Sequence, residues 1–193
     1  MGAALEGLGR IGDRLGPGYR DLLQGAAGLG LLFAGPRMAR AKPASGNVNY
    51  MKKNDPFFRY VSKRKDVDPN GFYDVIAHGS TSKIQVQTAK GPVQVNHRVA
   101  ARLIENSPGY QKGQPIRLLS CDTGKGAGSF AQNLANKTGV PVEAPTELVW
   151  AKPNGDKFVA AGKYVTGANG QRTLVPDMSK PGTFQVFEPF KKP

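Results

Sequence analysis

Between residues 72 and 145 the sequence passes three times through a short run of strand-forming residues, and helical stretches separate the later runs. The runs are residues 72–77, 115–120 and 140–145. After the first, residues 83–88 alternate apolar with polar, residues 89–92 turn, and residues 93–95 alternate again, the pattern of a half-exposed hairpin. Asn96 then stands as a helix N-cap, with Val99, Ala100, Leu103 and Ile104 on one helical face and Pro108-Gly109 as the stop. After the second run a glycine-rich loop, residues 124–128, leads into a helix with Phe130 and Leu134 inward, ending at Gly139. Strands joined by helical crossovers run in the same direction, with right-handed connections. The expected fold class is therefore α/β: a mostly parallel sheet flanked by helices, with a β-hairpin insertion. A second hairpin, residues 148–150 with 157–160 around Pro153-Asn154-Gly155-Asp156, begins a C-terminal β extension. The run from Phe184 to Phe190 is expected to dock as an edge strand and close the domain.

Composition narrows the alternatives. Gly 25 and Pro 15 make up about a fifth of the 193 residues, which argues against a helical bundle, a coiled coil or a membrane bundle. One cysteine, Cys121, excludes an intrachain disulfide framework, and two histidines, His78 and His97, disfavour a multi-histidine metal centre. No metal and no cofactor are expected. The formal charge of +13 favours contact with polyanions, either nucleic acid or an anionic membrane surface. More than half of that excess lies in the first 65 residues. Residues 1–56 read as a Gly/Ala-rich basic leader or linker, and residues 57–193 as the compact domain. The apolar run at residues 26–34 is too short to span a bilayer, and no secretory signal pattern precedes it.

Ligands of open α/β sheets bind at the carboxyl ends of the strands. His78 and Cys121 each follow an expected strand by one residue, so neighbouring parallel strands would place them on one rim. An imidazole can activate a thiol and later protonate a leaving group. The backbone N–H groups of Gly79 and Cys121 could form an oxyanion hole, with Gly79 leaving its own N–H open to a substrate oxygen. Asp122, next to the nucleophile, could shape a pocket for a basic side chain.

The order His78-Gly79, hairpin, helix, then Leu118-Leu119-Ser120-Cys121-Asp122-Thr123-Gly124 resembles the caspase-like (clan CD) cysteine peptidases, in particular the CHAT branch. The resemblance covers roughly residues 72–150. It implies a caspase-like sheet, His78 as catalytic histidine, Cys121 as nucleophile, and a protein substrate. Ser120 and Asp122 depart from the alanine and glutamate of that branch, so aspartate specificity is not implied. A basic Gly/Ala-rich leader before an enzyme-like domain is also similar to the C-terminal toxin tips of bacterial polymorphic toxins. That likeness implies secretion or delivery into the cytoplasm of a target cell and a cognate immunity protein. Three other expectations remain beside the peptidase. The same dyad could serve a deamidase or transglutaminase. The charge could serve a cationic toxin or binder of nucleic acid, with Cys121 merely buried, and the fold could be a non-enzymatic interaction scaffold.

Overall fold

In the computed structural model, residues 46–67 and 71–190 are described. The part of the expected leader up to residue 45, with residues 68–70 and 191–193, lies outside them. The central sheet takes β1 (Asn47–Asn49), β2 (Tyr73–Ile76), β6 (Ile116–Leu119), β7 (Val142–Pro145) and β11 (Phe184–Phe187), in the spatial order β1-β2-β6-β7-β11. The first four strands are parallel, and β11 closes the β7 edge antiparallel. Between β2 and β6 lie β3 (His78–Gly79), β4 (Ile84–Thr88), β5 (Gly91–Val95) and α2 (His97–Glu105). Helix α1 (Pro56–Val61) precedes β2, and α3 (Phe130–Thr138) joins β6 to β7. A third sheet holds β8 (Leu148–Ala151), β9 (Lys157–Thr166) and β10 (Arg172–Pro181). The fold is α/β with mixed sheets and few helices.

The two-residue period of the strands divides the central sheet into two unlike faces. Tyr73, Val75, Ile116, Leu118, Val142 and Ala144 point to one side, where α2 and α3 bury them with Ile84, Val86 and Val95 of the β4–β5 hairpin. Helix α2 starts as the sequence predicts, with Asn96 accepting from the N–H groups of Arg98 and Val99, and ends at Glu105, ahead of Pro108-Gly109; α3 ends as predicted at Gly139, in the left-handed conformation at φ 74°.

On the other side of the sheet, Ile76 and Leu119 join Met51 and Val61 in a smaller apolar cluster, with Phe57 and Phe58 packed against it. Asp74, Arg117 and Glu143 put charge on the same face. Asp74 is buried between two arginines: Arg64 reaches its Oδ2 through Nε at 2.9 Å and Nη2 at 2.5 Å, and Arg117 Nε reaches its Oδ1 at 2.7 Å. Asp66 pairs with Arg117 at 3.1 Å and with Lys157. The sequence reading missed this network. One buried carboxylate holding two guanidinium groups is what keeps those charges tolerable away from water.

Three elements were also unread: β1, inside the stretch read as a leader or linker, α1, which starts at its boundary, and β10. Helix α1 starts from Asp55, whose Oδ1 accepts from Phe57 N–H at 2.9 Å, and carries Pro56 in its first turn. An N-capping aspartate followed by proline is a helix-start signal.

Candidate active site

The ends of β2 and β6 meet as expected. Ala77 N–H donates to the Leu119 carbonyl at 3.4 Å, which carries the β2–β6 pairing to the rim. The chain then turns into β3 and pairs Gly79 with Ile84. Gly79 lies flat on the loop after β6. A methyl group there would meet the Ser120 hydroxyl and come within 2.9 Å of both the Cys121 carbonyl oxygen and the Thr123 methyl. The absent side chain therefore makes room for Ser120–Thr123. It also brings the backbones of the histidine and cysteine segments together.

The loop after β6 is held from several sides. Thr123 Oγ1 donates to the Ser120 carbonyl at 2.8 Å, Asp122 N–H to the Glu147 carbonyl at 3.1 Å, and Gly124 N–H to the Pro145 carbonyl at 2.8 Å. Those bonds fix Asp122 at φ 57°, the sole non-glycine residue with positive φ among the described residues. Such strain persists where surrounding contacts over-determine it, and it clusters at functional sites. Two buried polar atoms of this loop have no hydrogen-bond partner: Ser120 Oγ and Asp122 Oδ1. Burial pushes the Asp122 carboxyl up, the neighbouring Glu147 adds to this, and Lys125 opposes it. Lys125 Nζ sits 3.9 Å from Asp122 Oδ1 and 2.6 Å from Glu147 Oε2.

The two side chains of the expected dyad engage different partners. Cys121 Sγ turns towards β8 and accepts from Val149 N–H at 3.4 Å. Burial pushes the thiol up; the backbone N–H of Val149 opposes this and the charge of Asp122 reinforces it. Burial thus works against the thiolate that an activated nucleophile needs. The His78 ring, half exposed, places Nε2 at 2.9 Å from Asp55 Oδ2. Asp55 is a member of the site that the sequence reading missed; it stands 23 positions upstream and no local pattern links it to His78. Among the described residues no three His, Cys, Asp or Glu side chains gather as a metal centre requires.

A family model described as "Domain of unknown function (DUF8616)" matches residues 46–159. Two curated relatives are similar to the chain. The "(p)ppApp synthetase toxin Tas1" of Pseudomonas aeruginosa (strain UCBPP-PA14) is 35% identical over 136 residues, covering 67% of this chain and 30% of the relative. The "NAD(P)(+) glycohydrolase toxin Tse6" of Pseudomonas aeruginosa (strain PAO1) is 40% identical over 85 residues, covering 32% of this chain and 20% of the relative. The chain thus spans under a third of the length of these relatives. Both are named as toxins and both for reactions of nucleotides, which overturns the caspase-like peptidase reading. With it go the protein substrate and the deamidase or transglutaminase alternative. In the structure the half-buried sulfur is bonded to Val149 of β8 and the His78 ring to Asp55, so each side chain already has a partner other than its expected one. The toxin half of the reading agrees with the relatives.

Proposed function

The chain belongs to the DUF8616 family, and from that premise we propose that it is the enzymatic part of a delivered bacterial toxin acting on a nucleotide. The observation that carries the reading is that two relatives with different named reactions are both toxins and both act on nucleotides. The rim at the ends of β2 and β6 is the proposed site. It lies where open α/β sheets bind ligands, and it combines a strained aspartate, two unpartnered buried polar atoms and a half-exposed histidine. In this reading His78 moves a proton. The backbone N–H groups of Gly79 and Cys121 face an anionic substrate oxygen, here of a phosphate, and Asp122 lines the pocket. The +13 charge favours approach of a polyanionic substrate. No helix among the described residues is long and apolar enough to cross a membrane. A cognate immunity protein in the producing cell is part of the proposal, since a cell that makes such an enzyme needs a means to silence it.

The test is expression of the full chain in a bacterial host from a tightly repressed promoter, with nucleotide pools followed by mass spectrometry of acid extracts. Induction is expected to stop growth and to deplete a nucleotide pool. His78→Ala is expected to slow that depletion about 10²–10⁴-fold, the usual worth of a general acid or base. Growth arrest with intact pools would overturn the nucleotide reading, and undiminished depletion by His78→Ala would remove the rim from it.

A further inference from the structure

We propose that Asp55 is the positioning residue of this rim: its carboxylate holds the His78 ring in the tautomer that carries its proton on Nε2 and leaves Nδ1 free to accept one from the substrate. The catalytic part of this proposal rests on the reading of the rim as an active site; the tautomer itself does not.

An ionised carboxylate can only accept hydrogen bonds, so the neutral ring that meets Asp55 Oδ2 at 2.9 Å must present a protonated Nε2. Its other nitrogen then keeps a lone pair. An ordinary surface ion pair between a histidine and an aspartate would position little, because both side chains lose rotamer freedom for a small gain. This pair differs in how the carboxylate is held. Asp55 Oδ1 accepts from Phe57 N–H at 2.9 Å and from Phe58 N–H at 3.4 Å as the N-cap of α1, so its rotamer is fixed before the ring arrives. The carboxylate is also shielded: its side chain is 19% exposed, against 51% for His78. One face of the ring's environment is therefore built and the other is open to a ligand.

Helix α1 is in turn anchored to the strands that carry the rim. Val61 is fully buried against Ile76 and Leu119, and Phe57 and Phe58 pack on the same cluster. Ile76 stands two residues before His78, and Leu119 two before Cys121. The packing that locates the helix thus locates Asp55 relative to both strand ends, although Asp55 lies outside them in sequence.

Asp55→Asn separates positioning from folding. Asparagine caps a helix as well as aspartate does, so α1 is retained. With Oδ1 still on the cap, the amide NH₂ faces Nε2 and donates, which drives the proton to Nδ1. The measurement is ring-nitrogen NMR of the ¹⁵N-histidine-labelled full chain at about pH 8.5, where an ordinary imidazole is neutral. His97→Gln in the same background leaves His78 as the single ring signal. The parent is expected to show a protonated Nε2 and a bare Nδ1, and Asp55→Asn the reverse, with an unchanged thermal midpoint. Nucleotide depletion by Asp55→Asn is expected to fall about 10²-fold or more, since the ring would then offer no base where one is needed. The same tautomer in parent and Asp55→Asn overturns the proposal, as does undiminished depletion by Asp55→Asn when His78→Ala has lost it. Undiminished depletion by His78→Ala instead overturns the reading of the rim, and the NMR result stands apart from it.

Discussion

Two three-stranded antiparallel sheets in this molecule have similar alternating sequences and opposite fates. In β3–β4–β5 the apolar set Ile84, Val86 and Val95 is buried beneath α2. In β8–β9–β10 burial reaches Val159 and Ala160 and then stops: Tyr164, Val165, Leu174 and Met178 face solvent, Tyr164 and Met178 by about two thirds. Cross-strand pairing puts Tyr164 opposite Leu174, and the Arg172 guanidinium lies 4.6 Å over the Tyr164 ring. Alternation makes a strand, but burial needs a second layer, and among the described residues no helix covers the outer half of β9–β10. The family match ends at residue 159, where β9 leaves the body. The match covers the strands and helices that carry the rim, and most of the ribbon lies beyond it, as does the edge strand β11.

The sharpest way to break this contrast is to attack the body at its most costly point. Asp74→Ala leaves the buried guanidinium groups of Arg64 and Arg117 without their carboxylate, and a loss of about 3–5 kcal/mol in chemical denaturation is expected. A loss below 1 kcal/mol would mean that the ionic face is a solvated surface. A smaller effect is expected at Asp66, which ties Arg117 of the body to Lys157 at the root of the ribbon. Burial alone would raise its carboxyl, but Lys157 and Arg117 outweigh this and hold it below its ordinary value. Its contribution is therefore present above the unfolded-state pKa of about 3.9 and is lost as pH falls through the lower folded-state value. Asp66→Asn should lower stability at pH 7 by at most about 1 kcal/mol, because the side chain is half exposed, and should flatten the acid limb of the stability profile. Equal slopes in both proteins would contradict the link. The smallest effect belongs to the ribbon. Leu174→Ala is expected to change stability by no more than about 0.5 kcal/mol, the usual range for an exposed position. A change of 2 kcal/mol or more in thermal unfolding would show that the ribbon is covered in solution.

What could be read from the chain beforehand follows the same division. Strands β2, β6, β7 and β11 of the body, both long helices and the β4–β5 turn are legible because local signals agree there: Asn96 as cap, Gly139 as stop, Val and Ile on alternate positions. Strand β10 was hidden by Pro176, Pro181 and the polar stretch between them, which read as loop; pairing with β9 supplies the regularity. Arg64, Asp74 and Arg117 were hidden because a charged residue signals surface unless its partner is known, and the partners are 10 and 43 positions apart. At the rim, order and polarity of the strands foretold the meeting of His78-Gly79 with Cys121. They could not foretell where the side chains turn. The sulfur's choice of Val149 and the ring's choice of Asp55 depend on β8 and α1, which are set by tertiary packing.

The outer strand of the ribbon also bears on whether molecules stick to one another. Proline has no N–H to offer its neighbour, so Pro176, paired with Gly162, turns its nitrogen away from β9 and towards open solvent. A register irregularity between Asp177 and Pro181 then bends the same strand. The greasy tip therefore ends in an edge with a missing donor and a kink, a poor template for adding a further chain.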